Sequence, residues 1–133
     1  MQIDNLVVIV TFLALLTYFW TTFRVARARY KYGVAVPAVT GPPEFERTYR
    51  VQANTLEWLP LFLPSLWLFA WYWNGEVAAA IGVVWILARI YYAVTYVKDA
   101  AKRAPGFIVQ SLATGVLLFG PLGKAVYAAV GGG

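Results

Sequence analysis

Four side chains that could do chemistry, Arg47, Arg50, Asn54 and Glu57, follow one another at intervals of three, four and three residues. On a helix turning ~100° per residue they fall within an arc of about 80°, one face. A second set, Arg89, Tyr92 and Tyr96, has the same periodicity and gains Arg103 if its helix continues that far. Those four lie within about 60° of each other by the same arithmetic. The two stripes offer several guanidinium donors, one amide, one carboxylate and two phenols. Guanidiniums grip carboxylates bidentately, and a carboxylate with an amide can hold an ammonium group. The inventory suits a small zwitterionic, peptide-like ligand with several carboxylates. The plainer alternative is a set of snorkelling charges or a structural salt-bridge network. Against it stands the rule that ionisable residues within membrane segments mark functional sites.

That these stripes belong to membrane helices follows from composition. Of 133 residues, 61% are hydrophobic and 13% charged, with a mean hydropathy of +0.63. A soluble domain of this size would expose large apolar patches. One domain, 1–133, is expected, read as an all-α integral membrane four-helix bundle with helices at about 5–31, 44–73, 77–103 and 106–130. Gly33, Pro37, Gly41, Pro42 and Pro43 mark the first connection, Asn74-Gly75-Glu76 the second and Ala104-Pro105-Gly106 the third. Pro60 and Pro64 are expected to kink the second helix, which is polar in its first part and apolar in its second. Met1–Asn5 carries Asp4 and no basic residue, unlike the start of a cleaved signal peptide.

Charge sets the expected orientation. Six basic residues lie between Arg24 and Arg50 and three more between Lys98 and Arg103, whereas the opposite ends carry Asp4, Glu76 and Lys124. The positive-inside rule then places both basic connections, and the site that starts beside them, on the cytoplasmic side. Arg24, Arg27 and Lys31 read most simply as topology determinants. The net charge of +5 is explained by this asymmetry, with no nucleic-acid partner needed. Most of the Trp and Tyr residues suit interfacial belts.

The chain has neither cysteine nor histidine, which excludes thiolate catalysis by the protein, zinc–thiolate sites and the commonest general base. No metal is expected. A ligand that brings its own nucleophile would fill the gap, and glutathione, zwitterionic and thiol-bearing, fits.

The run Thr40-Gly-Pro-Pro-Glu-Phe-Glu-Arg47-Thr-Tyr-Arg50-Val-Gln52-Ala-Asn54-Thr-Leu-Glu57-Trp58-Leu-Pro60 resembles the signature of the MAPEG superfamily, the membrane-associated proteins in eicosanoid and glutathione metabolism. The likeness is strongest there and from Arg89 to Arg103. It implies a homotrimer with glutathione as co-substrate, bound between adjacent subunits. By position, Arg50, Asn54, Glu57, Tyr92 and Tyr96 would hold glutathione from one subunit, and Arg29 and Gln52 would reach it from the neighbour. Trp58 stands at a further glutathione-contact position where leukotriene C4 synthases have a tyrosine, so one hydroxyl contact is absent. Tyr30 replaces a second arginine beside Arg29. Arg103 matches the arginine credited with activating the thiol, and is the expected catalytic residue.

The resemblance thus implies a microsomal-type glutathione S-transferase acting on lipophilic electrophiles drawn from membrane lipid, with glutathione peroxidase as a side activity. The alternative is a non-enzymatic lipid-binding scaffold resembling five-lipoxygenase-activating protein, which lacks the activating arginine. The expected location is a bacterial inner membrane or the endoplasmic reticulum, multi-pass. The compact chain leans towards the bacterial one.

Overall fold

A computed structural model describes residues 4–132, so the first three residues of the Met1–Asn5 stretch lie outside it. Four long helices make up the chain: α1 Asn5–Tyr32, α2 Pro43–Tyr72, α3 Gly75–Lys98 and α4 Ala104–Ala129, with a single 3-10 turn at Ala100–Lys102. Each end has a local cause. The Asp4 carboxylate caps α1 by accepting from Leu6 N–H at 2.9 Å, and Gly33 closes it in the left-handed region at φ 67°. Pro43 opens α2, with Glu44 and Glu46 in its positively polarised first turn. The Asn74 amide oxygen caps α3 by accepting from Val77 N–H at 2.9 Å. α2 continues through both Pro60 and Pro64.

α2 and α3 form the central pair, and α1 and α4 each pack against both from opposite sides. The buried positions of α1 are Val7, Val10, Ala14, Thr17, Thr21, Val25 and Ala28, a three–four repeat that keeps one seam inward. Its other face turns out Phe12, Phe19 and Phe23, each more than half exposed. A face this rich in exposed apolar side chains suits hydrocarbon as its solvent. Small residues let the centre close. At Gly82 a Cβ would meet Val10 Cγ1 at 2.5 Å, so α1 can approach α3 there. Next to it the rings of Phe62 and Trp85 stack at 4.0 Å, both wholly buried.

α1, α3 and the stretch Ala100–Ala129 are long and apolar enough to cross a membrane. α2 falls short because its first half is polar and its second half carries proline, tryptophan and tyrosine, which score low on hydropathy. It is held instead by packing between the other three.

The helix expected to run from 77 to 103 ends at Lys98. Asp99 is extended, at φ −155° and ψ 110°, and its carboxylate accepts from Ala101 N–H at 3.0 Å. A short acidic side chain that bonds its own following backbone competes with the helix ladder. The 3-10 turn that follows delivers the chain into α4. Arg103 is therefore not on the α3 stripe; it sits at the cap position of α4.

Candidate active site

The α3 break brings Arg103 back. A continuous helix would carry it ~16 Å along the axis beyond Tyr92, at 1.5 Å per residue. Instead α4 starts against α3, and Gly106 makes the approach possible. A Cβ there would meet Ala88 O at 2.9 Å, Tyr92 N at 3.0 Å and Tyr91 Cδ1 at 3.1 Å. Two of those three atoms are backbone, so only glycine fits without moving a helix. Phe107, one residue on, tilts over the Tyr92 ring at 6.1 Å and receives Trp58 edge-on at 5.6 Å. Sequence reasoning saw in Gly106 only a chain break. Its role in the approach of α4 to α3 depends on a contact between segments.

At the same end α2 crosses α3. Arg47, expected on the ligand-facing stripe, instead donates Nε–H to Val97 O at 2.9 Å, one of the last-turn carbonyls that a helix leaves unpaired. Deeper, Arg89 is 1% exposed. It donates to Asn54 Oδ1 at 2.7 Å and to Thr55 Oγ1 at 2.6 Å, and its guanidinium lies 4.6 Å from the Tyr92 ring centre. With Asn54's oxygen occupied by Arg89, its NH₂ group keeps both hydrogens for another acceptor. Tyr96 stacks on Tyr92 at 5.4 Å with the planes 7° apart.

Arg50 and Glu57 face each other two turns apart on α2, Nη1 to Oε1 3.2 Å, with their side chains 55% and 56% exposed. A pair this exposed contributes little to stability. Its members are free to exchange partners with a zwitterion. The Tyr92 hydroxyl lies within electrostatic reach of Arg89, Tyr96, Arg103 and Arg50. Charges from α2, α3 and the start of α4 thus act on one phenol. Arg103 itself is exposed.

The remaining expected residues lie elsewhere on the subunit or in its packing. Arg29 donates to Ala38 O at 2.7 Å and lies over the Phe45 ring at 5.2 Å, which ties it to the α1–α2 connection. Gln52 and Trp58 are half-buried on α2. Among the described residues no cluster of three or more His, Cys, Asp or Glu side chains could hold a metal.

Against this geometry, comparison with known proteins is specific. The chain matches the model of the MAPEG family over residues 7–123. It is 50% identical over 114 residues to an uncharacterised protein of a Synechocystis species, covering 86% of this chain and 83% of that one. It is 42% identical over 119 residues to mouse microsomal glutathione S-transferase 2, covering 90% and 79% of the two chains. Guinea-pig (Cavia porcellus) leukotriene C4 synthase is 38% identical over 109 residues, covering 82% and 73%. With four packed helices, three of them long and apolar enough to cross a membrane, and a family match over nearly its whole length, the chain belongs to the MAPEG family.

Proposed function

We propose that this protein is a membrane-bound glutathione transferase that joins the glutathione thiolate to hydrophobic electrophiles. The observation that carries the reading is the alignment on α2 of the exposed Arg50–Glu57 pair with Asn54, whose oxygen is already engaged by Arg89, near a Tyr92 phenol that feels the charges of Arg50 and Arg103. Relatives named glutathione transferase and leukotriene C4 synthase support it.

In this reading the exposed Arg50–Glu57 pair opens to the ligand. Arg50 takes a carboxylate, Glu57 takes the ammonium, and the Asn54 amide donates to a peptide or carboxylate oxygen. The Tyr92–Tyr96 stack forms a wall, with Trp58 behind it through Phe107. Arg29 and Gln52 complete the site from a neighbouring copy in a homotrimer.

The chemistry required of the protein is thiol ionisation. A thiol of pKa ~8.5 is only a few per cent thiolate at neutral pH. Lowering that pKa by ~2 units needs about 2.7 kcal/mol of differential stabilisation. One charged donor at hydrogen-bond distance supplies an amount of that order. Arg103 stays protonated, so its part is electrostatic and not that of a base. Its place at the start of α4 adds the unpaired N–H groups and partial positive charge of a helix N-terminus. The thiolate attacks the electrophile, the carbon–sulfur bond forms, and the leaving group or opened ring takes up the electron pair. Lipophilic substrates enter from the bilayer, and peroxide reduction is a side reaction of the same thiolate. Both basic connections face the cytoplasm.

The test is purified protein in detergent, with glutathione affinity by calorimetry and turnover with 1-chloro-2,4-dinitrobenzene. Micromolar to millimolar binding with turnover above the uncatalysed rate is expected. Binding without turnover would move the protein to the scaffold class, and absence of binding would end the reading.

A further inference from the structure

A cavity of about 780 Å³ opens on the α1 side of the central helix pair. It lies between the C-terminal half of α1, the start of α2 and the last turns of α3, and none of the residues assigned above to glutathione lines it. Four cations face it, Arg24, Arg27, Lys31 and Lys98, with one carboxylate, Glu44. That carboxylate already accepts a hydrogen bond from the Tyr32 hydroxyl. Among the described residues the one ion pair is Arg50–Glu57, so none of the four cations is ion-paired, and with Glu44 counted the chamber keeps a net positive charge. Arg24 is partly committed, with Nη1 3.3 Å from Ala93 O and its guanidinium 4.8 Å above the Trp20 ring. Arg27, Lys31 and Lys98 are exposed.

The same two helices frame a second space further in. Below Trp20 an apolar groove of about 350 Å³ runs between Leu13, Leu16 and Thr17 of α1 and Ile86 and Ile90 of α3. Trp20 and Arg24, in contact with each other, mark the change from one to the other. A cationic chamber over an apolar groove, set in one inter-helix seam, matches a molecule with an anionic head and a hydrocarbon tail. Basic pockets between membrane helices recognise acidic headgroups in this way, and the basic end of the bundle is the end at which such heads would lie.

We propose that the α1/α3 seam is a binding site for one anionic phospholipid, its phosphate held among Arg27, Lys31 and Lys98 and one acyl chain laid between Leu16 and Ile90. Arg24 and Trp20 sit at the level where head meets tail. Two features argue against a free anion as the occupant. The cationic chamber and the apolar groove lie in the same seam on either side of Trp20 and Arg24, and no free anion would fill the groove. Its cations also sit on helix ends already anchored in the membrane. The site is independent of the glutathione reading, because it uses other residues on another face.

The test is native mass spectrometry of the full chain released from detergent containing phosphatidylglycerol and phosphatidylcholine with identical acyl chains. The wild type should retain phosphatidylglycerol with at least a tenfold preference. Arg27→Gln/Lys31→Gln/Lys98→Gln removes three exposed charges that pack against little, and should lower the preference below threefold while glutathione affinity is unchanged. Leu16→Trp, which fills the groove, should weaken lipid retention with the cations intact. Retained preference in the triple variant would overturn the proposal. So would displacement of the lipid by millimolar inorganic phosphate with no effect of Leu16→Trp, which would make the chamber a free-anion site. A high-yield disulfide between two copies carrying Arg27→Cys would assign the seam to a subunit interface and overturn it as well.

Discussion

Replacing Arg89 by methionine separates the stability of the bundle from the ordering of the site. The guanidinium is all but inaccessible, and its Nε–H has no partner among the described residues. Holding a cation within a membrane helix costs about 2.5–3.5 kcal/mol on insertion scales. Against this stand two hydrogen bonds from a charged donor, to Asn54 and Thr55, each about 1.5–3 kcal/mol. The Tyr92 ring contributes about 1–2 kcal/mol more. Methionine keeps much of the packing volume, and Thr55 keeps its own bond to Val51 O at 2.7 Å. Those gains less the burial cost leave a net loss of stability of about 0.5–5.5 kcal/mol. Asn54, however, loses the contact that fixes its amide. Glutathione affinity should fall about two- to twelvefold, the net worth of one hydrogen bond. The maximal conjugation rate should change less, because Arg103 is untouched. Calorimetry and steady-state kinetics in detergent measure both. If Arg89 acts through Asn54, Arg89→Met should add nothing to the loss in Asn54→Ala. A folded Arg89→Met protein with wild-type affinity, or losses that simply add, would refute the argument.

Arg103→Ala should bind glutathione with modest loss but scarcely ionise it. Thiolate absorbance near ~240 nm should fall and the conjugation pH optimum should rise towards the free thiol's ~8.5; Arg103→Lys should recover little, since a point charge replaces a planar fork. Arg50→Ala should weaken glutathione binding by about 1.5–3 kcal/mol in calorimetry, the cost of one charge-assisted contact. Gly106→Ala should destabilise by about 1–3 kcal/mol, because the added methyl meets backbone on α3; thermal unfolding reads that loss, and slowed conjugation with near-normal glutathione affinity would report displacement of Arg103. Single cysteines at Thr40 and Glu76, both exposed and in a chain without native cysteine, should label from opposite sides of the membrane, Thr40 from the cytoplasm; labelling from one side would contradict the up-and-down arrangement.

Much of this protein is written locally. The apolar runs, the caps at Asp4 and Asn74, and the proline at the start of α2 follow from side-chain chemistry acting within a few residues. So does the alignment of Arg50, Asn54 and Glu57, since 3.6 residues per turn puts them on one face wherever the helix lies. Charge asymmetry is equally local and distinguishes the two ends. The family signature between Thr40 and Pro60 is a property of the sequence alone.

What tertiary structure decided are relations between segments far apart in the chain. Arg47 follows the same periodicity as Arg50, yet it ends on the Val97 carbonyl because α2 crosses the end of α3 there. Arg89 shares its stripe with Tyr92, but its partners are Asn54 and Thr55, about thirty-five positions away. Arg103 comes within electrostatic range of Tyr92 because Asp99 breaks α3 and Gly106 lets α4 close against it. Periodicity cannot register such contacts, since each depends on where two helices meet and on how near their backbones can come. The α1/α3 seam is of the same kind. Its cations are visible in the sequence as topology signals, and only the packing of α3 beside α1 sets Lys98 opposite Arg27 and Lys31 above an apolar groove.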